Sequence, residues 1–235
     1  GIAISDTSAG MFLGQGILLA LIHRDKTGEG QWVHTSLLEA MLSKIDFQGA
    51  RYTMSGEVAE QQGNFHPTQV PMGVFESADG QVNLAASTGK MWVNFCQALD
   101  AKALLEQPEY QRAGDRVKHR DQLNIDVNQV TRGFTTADLV ARLNAVGVPC
   151  GPIYTIGEAF EDPQAQHLQM TRSAPHPELG DISLVRSPIN LSACPAPKSF
   201  HHAGPAAGEH SAEILLELGF SAGEIKALMA AKAIG

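Results

Sequence analysis

Asp6, in the stretch "SDTSAG" ahead of a long apolar run, has a type and setting suited to covalent chemistry. The unpaired N–H groups of a helix's first turn carry partial positive charge and favour a carboxylate there. The same groups can hold an oxyanion when that carboxylate attacks an acyl carbon. Ser5, Thr7, Ser8, Ala9 and Gly10 are small and let a bulky reactant approach. Asp is also a common helix cap, and the two roles are compatible. Other candidates offer less. Cys150 in "GVPCGP" has no cationic residue or His near it in sequence to generate a thiolate, so it reads as a loop cysteine. Of the nine histidines only His201 and His202 are adjacent, and neighbours on an extended chain point opposite ways. No metal-ligand spacing, GxSxG, Walker loop or GxGxxG occurs.

The elements that must position Asp6 follow from periodicity. Residues 7–24 read as a helix that Asp6, Thr7 or Ser8 caps, stopped by Gly28 and Gly30. It is apolar nearly all round, so it belongs between other elements. "QWVHTS" is β-like. Ser36 and Glu39 form a capping-box pattern ahead of a second helix running to about Thr53, before Gly56. "GEVAEQQGNFHPTQVP" is polar and aperiodic, a linker or a functional loop. A hairpin is expected around Ala78-Asp79-Gly80, with Gly80 at positive φ. A helix over residues 91–99 puts Trp92, Phe95, Cys96 and Leu99 on one face. "EYQRAGDRVKHRDQLNIDVNQVTRG" reads as polar surface helices. Thr135 and Asp138 cap a helix that ends at Gly147, and short helices flank Pro163. "GDISLVRSPINLS" reads as an exposed strand and "ACPAPKSFHHAGPAAG" as a crossing linker. Two final helices break at Gly219, the second capped by Ser221 with Glu224.

Bulk properties narrow the function classes. The chain has 235 residues, 43% of them hydrophobic and 18% charged, which fits one large or two small globular domains. A net charge of −8 argues against nucleic acid and against anionic membranes. The apolar run over residues 11–22 falls short of the roughly 20 residues a membrane span needs. No signal peptide is evident, and three cysteines without CxxC spacing point to a reducing, cytoplasmic compartment.

The stretch "SDTSAGMFLGQGILLALIHRDKTGEGQWVHTSLLEAML" resembles the family III CoA-transferases, the group of formyl-CoA transferase, carnitine CoA-transferase and BaiF-like proteins. "GNFHPTQVPMGVFESADGQV", "GVPCGPIYTIGEAFEDPQ", "SPINLSACP" and "GEHSAEILLELGFSAGEI" follow in the family's order, so the resemblance spans essentially the whole chain. It implies an α/β fold, the C-terminal part of a family III architecture, with Rossmann-like large-domain portions and an α+β small domain. Residues 1–55 would carry the Asp helix of the large domain, residues 56–175 the small domain, and residues 176–235 the return linker and last helices. The resemblance makes Asp6 the nucleophile that becomes an aspartyl-CoA thioester. It makes Gly63, Asn64 and His66 candidates to line the acyl or carboxylate pocket, under a loop that closes over the site. A single glycine stands in this loop where formyl-CoA transferase-like members carry a longer run.

The resemblance further implies transfer of CoA from an acyl-CoA to a small carboxylic acid by an interlocked homodimer, with coenzyme A as substrate and no permanently bound cofactor or metal. The CoA-binding residues are expected upstream of Gly1. One alternative is an α-methylacyl-CoA racemase, where the equivalent Asp is an acid or base assisted by a small-domain Glu. "LAASTGKMW", which resembles the region supplying that Glu, holds no carboxylate. The other alternative is a truncated noncatalytic subunit.

Overall fold

A computed structural model describes residues 1–234, which form two compact units divided between Ile153 and Tyr154. The first unit opens with helix α1 (Ile4–Thr27), ended by Gly28 in the left-handed conformation (φ 79°). Residues 31–35 carry no regular secondary structure, so "QWVHTS" is a connection and not a β-element. They cross α1 closely: a Cβ at Gly16 would lie 2.7 Å from Val33 Cγ1, so glycine is what admits the crossing. Ser36 caps α2 (Leu37–Lys44) by accepting from the Glu39 N–H at 3.2 Å. The single helix expected here is broken at Ile45, and Asp46 (φ 46°) starts α3 (Asp46–Ser55), which Gly56 closes.

Within this unit α1 buries only Ser8 and Ala9; Met11, Leu18 and Leu19 are each more than 60% exposed. The helix is also 24 residues long, so length alone does not exclude a membrane span, contrary to the expectation from the shorter apolar run.

The rest of the first unit is a three-stranded antiparallel sheet, β1 (Met72–Glu76), β2 (Gln81–Ala85) and β3 (Cys150–Pro152), in that order. Alternation puts Phe75, Val82 and Leu84 inward. Against them pack α4 (Gly89–Ala98), α5 (Lys102–Glu106), α6 (Ala113–Lys118), α7 (Arg120–Thr131) and α8 (Thr136–Ala145), through Trp92, Phe95, Leu123, Val127, Leu139 and Leu143. Each such side chain contributes roughly 1.5–3 kcal/mol on burial. The hairpin forms where expected, but Gly80 does not adopt positive φ. Its tip is held instead by Asp79, whose carboxylate accepts from Thr136 N at 2.7 Å and Thr136 Oγ1 at 2.9 Å, tying the turn to α8.

The segment read as polar surface helices is half core. Leu123, Val127 and Thr131 of α7 are fully buried, and so is Arg116 of α6. Arg116 donates Nε to Val70 O (3.1 Å), Nη1 to Tyr110 O (2.9 Å) and Nη2 to Ser87 O (2.6 Å), and its guanidinium lies 5.5 Å from the Trp92 ring centroid. Burial lowers its pKa. Through these carbonyls it ties two loops, at Val70 and Ser87, to the short 3-10 helix Pro108–Tyr110.

The second unit carries α9 (Ile156–Glu161), with a full capping box from Thr155 and Glu158, and α10 (Pro163–Leu168), started by Asp162 and Pro163. Its sheet is one hairpin, β4 (Thr171–His176) with β5 (Gly180–Val185). Only the second strand is expected from sequence; the Pro175 and His176 of β4 hide its pattern. The linker after residue 195 runs along β4, with Phe200 N donating to Ser173 O and Ala203 N to Pro175 O. Helices α11 (Ser211–Glu217) and α12 (Ala222–Ala230) follow, with the expected Ser221–Glu224 capping box.

Candidate active site

Asp6 occupies the first turn of α1, inside the helix and not at its cap. The N-cap is Ala3, without a side-chain hydrogen bond, so neither Asp6, Thr7 nor Ser8 caps the helix as expected. The Thr7 hydroxyl turns back to Ala3 O (3.1 Å), and Ser8 is buried. The Asp6 side chain is exposed and accepts only from its neighbour, Ser5 Oγ, at 3.0 Å among the described residues. A free carboxylate at the positive end of a helix, flanked by small residues, is placed to attack an electrophile brought from solvent.

Gly63, Asn64 and His66 share one loop, which is built rather than slack. Gly63 adopts φ 59° with open space around its Cα, so the turn requires a residue without a β-carbon penalty. Asn64 O accepts from Val74 N at 3.2 Å, and His66 N donates to Met72 O at 2.9 Å, so the loop lies along β1 as an extra, bridged segment. Gly73 makes this possible. Its φ is 150°, and a Cβ there would meet Asn64 O at 2.5 Å and Phe65 Cδ1 at 2.6 Å.

The His66 ring is fixed on several sides. Its Nδ1 accepts from Thr68 N (3.2 Å) and Gln69 N (3.1 Å), and Phe47 of α3 stacks on its face at 5.5 Å and 9°. Arg120, at the start of α7, donates Nη1 to Pro67 O and Nη2 to His66 O, both at 3.0 Å. Beside the loop, a cleft of about 460 Å³ is lined by Gln61, Gln62, Phe65, Arg120, Asn124 and Asn128, among others.

The loop thus gathers Gly63, Asn64 and His66, while no hydrogen bond or ring contact joins it to Asp6 among the described residues. Phe47, Gly73 and Arg120 escape sequence reasoning. The pattern around Arg120, "RVKHRDQ", reads as solvated helix, and nothing local signals a guanidinium that reaches back to residues 66 and 67. Cys150 is not a loop residue: it begins β3, where Asn144 brackets its backbone (Nδ2 to Cys150 O, 2.9 Å; Cys150 N to Oδ1, 3.1 Å). Burial pushes its thiol up to about 11 and that of Cys96 up to about 12, the opposite of a nucleophile's needs.

An exposed first-turn carboxylate on a long apolar helix, followed by a small antiparallel sheet under helices, makes up a mixed helix-and-strand fold. The chain belongs to CoA-transferase family III, whose model matches residues 1–211. It is similar to the succinyl-CoA:mesaconate CoA-transferase of Haloarcula marismortui, at 32% identity over 95% of this chain and 55% of the relative. It also resembles the succinyl-CoA–D-citramalate CoA-transferase of Chloroflexus aurantiacus, at 29% identity over 100% of this chain and 58% of the relative. A crystal structure of a CAIB/BAIF family protein from Brucella suis superposes with a TM-score of 0.77 and 28% identity, over 93% of this chain and 56% of that one. The chain therefore spans about half the length of the relatives it matches.

Proposed function

We propose that this chain supplies the reacting carboxylate of an enzyme that transfers CoA from an acyl-CoA to a free carboxylic acid. The observation that carries the reading is the exposed first-turn Asp6 in a chain of this family. In the proposed sequence a carboxylate oxygen of Asp6 attacks the donor thioester carbonyl and the C–S bond breaks, giving a mixed anhydride and CoA thiolate. The thiolate attacks the Asp6 carbonyl and releases the donor acid, leaving an aspartyl-CoA thioester. The acceptor carboxylate attacks that thioester and expels the thiolate, which then takes the acceptor acyl group and regenerates Asp6. No proton changes hands, so no base beside Asp6 is needed.

The names of the relatives favour succinyl-CoA as donor and a small dicarboxylic acid as acceptor. The loop of Gly63, Asn64 and His66 lines the carboxylate side. Coenzyme A is a substrate, and no resident cofactor takes part. The enzyme is a cytoplasmic homodimer, without nucleic-acid or membrane partners. Residues 1–55 and 176–235 belong to its large domain and residues 56–175 to its small domain. Helix α1, carrying Asp6 and Gln15 and ending in His23-Arg24-Asp25-Lys26, is a covered helix of that large domain and not a membrane span.

Asp6→Ala in the intact protein should abolish transfer while thermal unfolding stays close to wild type, because among the described residues the Asp6 side chain forms a hydrogen bond only with Ser5. Mass spectrometry after incubation with succinyl-CoA should show a CoA adduct on Asp6. Normal turnover by Asp6→Ala would refute the mechanism. Racemisation is the second reading, and the absence of a carboxylate from "LAASTGKMW" argues against it. Exchange of the α-hydrogen of a 2-methylacyl-CoA in deuterated water, without any acceptor acid, would favour it over transfer.

A further inference from the structure

The hairpin of the second unit brings two arginines together. Arg172 pairs with Leu184 across the strands, so Arg186, two residues further on, falls on the same face. Both guanidinium groups converge on Gln169 O, to which Arg172 Nη1 donates at 2.9 Å and Arg186 Nε at 3.0 Å. Gln169 ends α10 in the left-handed conformation (φ 49°), and the carbonyls at a helix C-terminus attract cations. Capping accounts for Arg186, whose Nη2 donates to Leu168 O at 2.8 Å and Nη1 to Ser187 O at 2.7 Å. It does not account for Arg172. There Nη1 also donates to Thr171 O at 3.1 Å, which fixes the guanidinium, while Nη2 donates to nothing among the described residues. Its Nε is screened from solvent and has no partner among them. Buried donors left so are rare, and a bound ion or water is a common reason for one.

Arg172 lines a cavity of about 590 Å³ with Gln166, Gln169, Thr171 and Lys198, which together hold two cations and no carboxylate. The linker after residue 195 carries Lys198 there, because Phe200 N is bonded to Ser173 O of β4. Neither Arg172, Arg186 nor Lys198 forms an ion pair among the described residues, in a chain whose net charge is −8. We propose that this cavity binds a phosphate group, as orthophosphate or a small phosphate monoester. Two of its oxygens accept from the Nε–Nη2 edge of Arg172, and Lys198 balances the remaining charge. A guanidinium edge matches two oxygens of a phosphate in a way that no single donor does. A dianion answers the uncompensated cations better than a monocarboxylate, and the amides and hydroxyl around the cavity offer no apolar wall to a hydrocarbon chain. None of these residues is assigned to the reaction, so the site does not rest on the transferase reading.

Calorimetric titration of the intact protein with orthophosphate should show saturable binding, far tighter than that of acetate. Arg172→Met should raise the phosphate Kd about ten- to a hundredfold, as expected for losing hydrogen bonds between charged groups. Arg172→Lys should recover only part of this, because an ammonium cannot present two parallel N–H groups. Lys198 is exposed and forms no hydrogen bond among the described residues, so Lys198→Met should fold as wild type does and raise the Kd about two- to fivefold. Lys226→Met removes the same charge from α12 and should leave the Kd unchanged. The proposal fails if the intact protein shows no saturable phosphate binding, as when a carboxylate from elsewhere in the polypeptide fills the cavity. It fails equally if acetate binds as tightly, or if Lys198→Met and Lys226→Met respond alike.

Two sources of the phosphate group are told apart with CoA and 3′-dephospho-CoA. If Arg172→Met weakens CoA and leaves 3′-dephospho-CoA unchanged, the site holds the 3′-phosphate of the substrate. If the variant weakens orthophosphate and glycerol 3-phosphate and leaves CoA unchanged, the site holds a free phosphate species. Phosphate binding that persists in a protein unable to transfer CoA would sink the reaction and leave this site standing.

Discussion

The chain builds the same small turn twice and surrounds it differently. In His66-Pro67-Thr68-Gln69 and His176-Pro177-Glu178-Leu179, the His Nδ1 accepts from the N–H groups two and three residues ahead, at 3.1–3.2 Å in each. The imidazole imitates the acceptor of an Asx turn, and proline's fixed φ holds the chain in the bend. The second copy is simply the link between β4 and β5: it ends at Gly180 (φ 71°), its Leu179 is 70% exposed, and its His ring stacks on nothing among the described residues. Around the first copy, Phe47, Gly73 and Arg120 converge from three separate elements. Local sequence sets the turn. Tertiary contacts fix one of the two rings in place.

The largest separation between the turns should come from Gly73→Ala. Its φ of 150° and the 2.5 Å approach to Asn64 O force the Asn64–Phe65 segment off β1, at a stability cost on the order of 1–3 kcal/mol. Gly180→Ala also meets positive φ, but with open space, so it should cost less and leave transfer intact. Denaturant melts of the two variants provide the comparison.

A smaller effect should be visible by hydrogen exchange. The amides of Thr68 and Gln69 should exchange more slowly than those of Glu178 and Leu179, and Arg120→Met should erase most of that difference. The least effect is expected at the hairpin tips. Hydrogen bonds from Thr136, first its backbone N–H and then its hydroxyl, hold the Asp79 carboxyl below its ordinary value. The folded pKa is depressed, so the stabilisation is present above the unfolded value of 3.8 and fades as pH falls through the folded one. Asp79→Asn should therefore flatten the acid limb of the stability curve below about pH 4. Asp181, beside the other turn, shows no such tie to a helix among the described residues.

Much of this fold was readable where a signal is local. Ser36, Thr135 and Ser221 each accept from the N–H three residues on, as the spacing predicts, and Trp92, Phe95 and Cys96 face inward as their helical period requires. What escaped was decided at a distance. Asp6 has the composition of a cap, yet the helix begins two residues earlier at Ile4, so it falls within the first turn. The break at Ile45 interrupts a continuous apolar pattern that gives no notice of it. β4 is masked by Pro175 within the strand and by His176, which serves the turn. In the site, Asp6 and the polar loop stood out by residue type, whereas Arg120 and Gly73 matter only for what the fold brings against them.

Arg116 and Arg120 share a habit with consequences for descent. Between them they grip the backbone oxygens of residues 66, 67, 70, 87 and 110, and no side chain at those positions takes part in the grip. Selection acting on these links therefore leaves no matched pair of residues to find. The five gripped positions can change identity and still present a carbonyl, provided loop length and path are kept. A survey of correlated substitutions would pass over both arginines, while an insertion of one residue between positions 66 and 70 would break several links at once. For these links the constraint lies in the spacing of the gripped carbonyls and not in the side chains beside them.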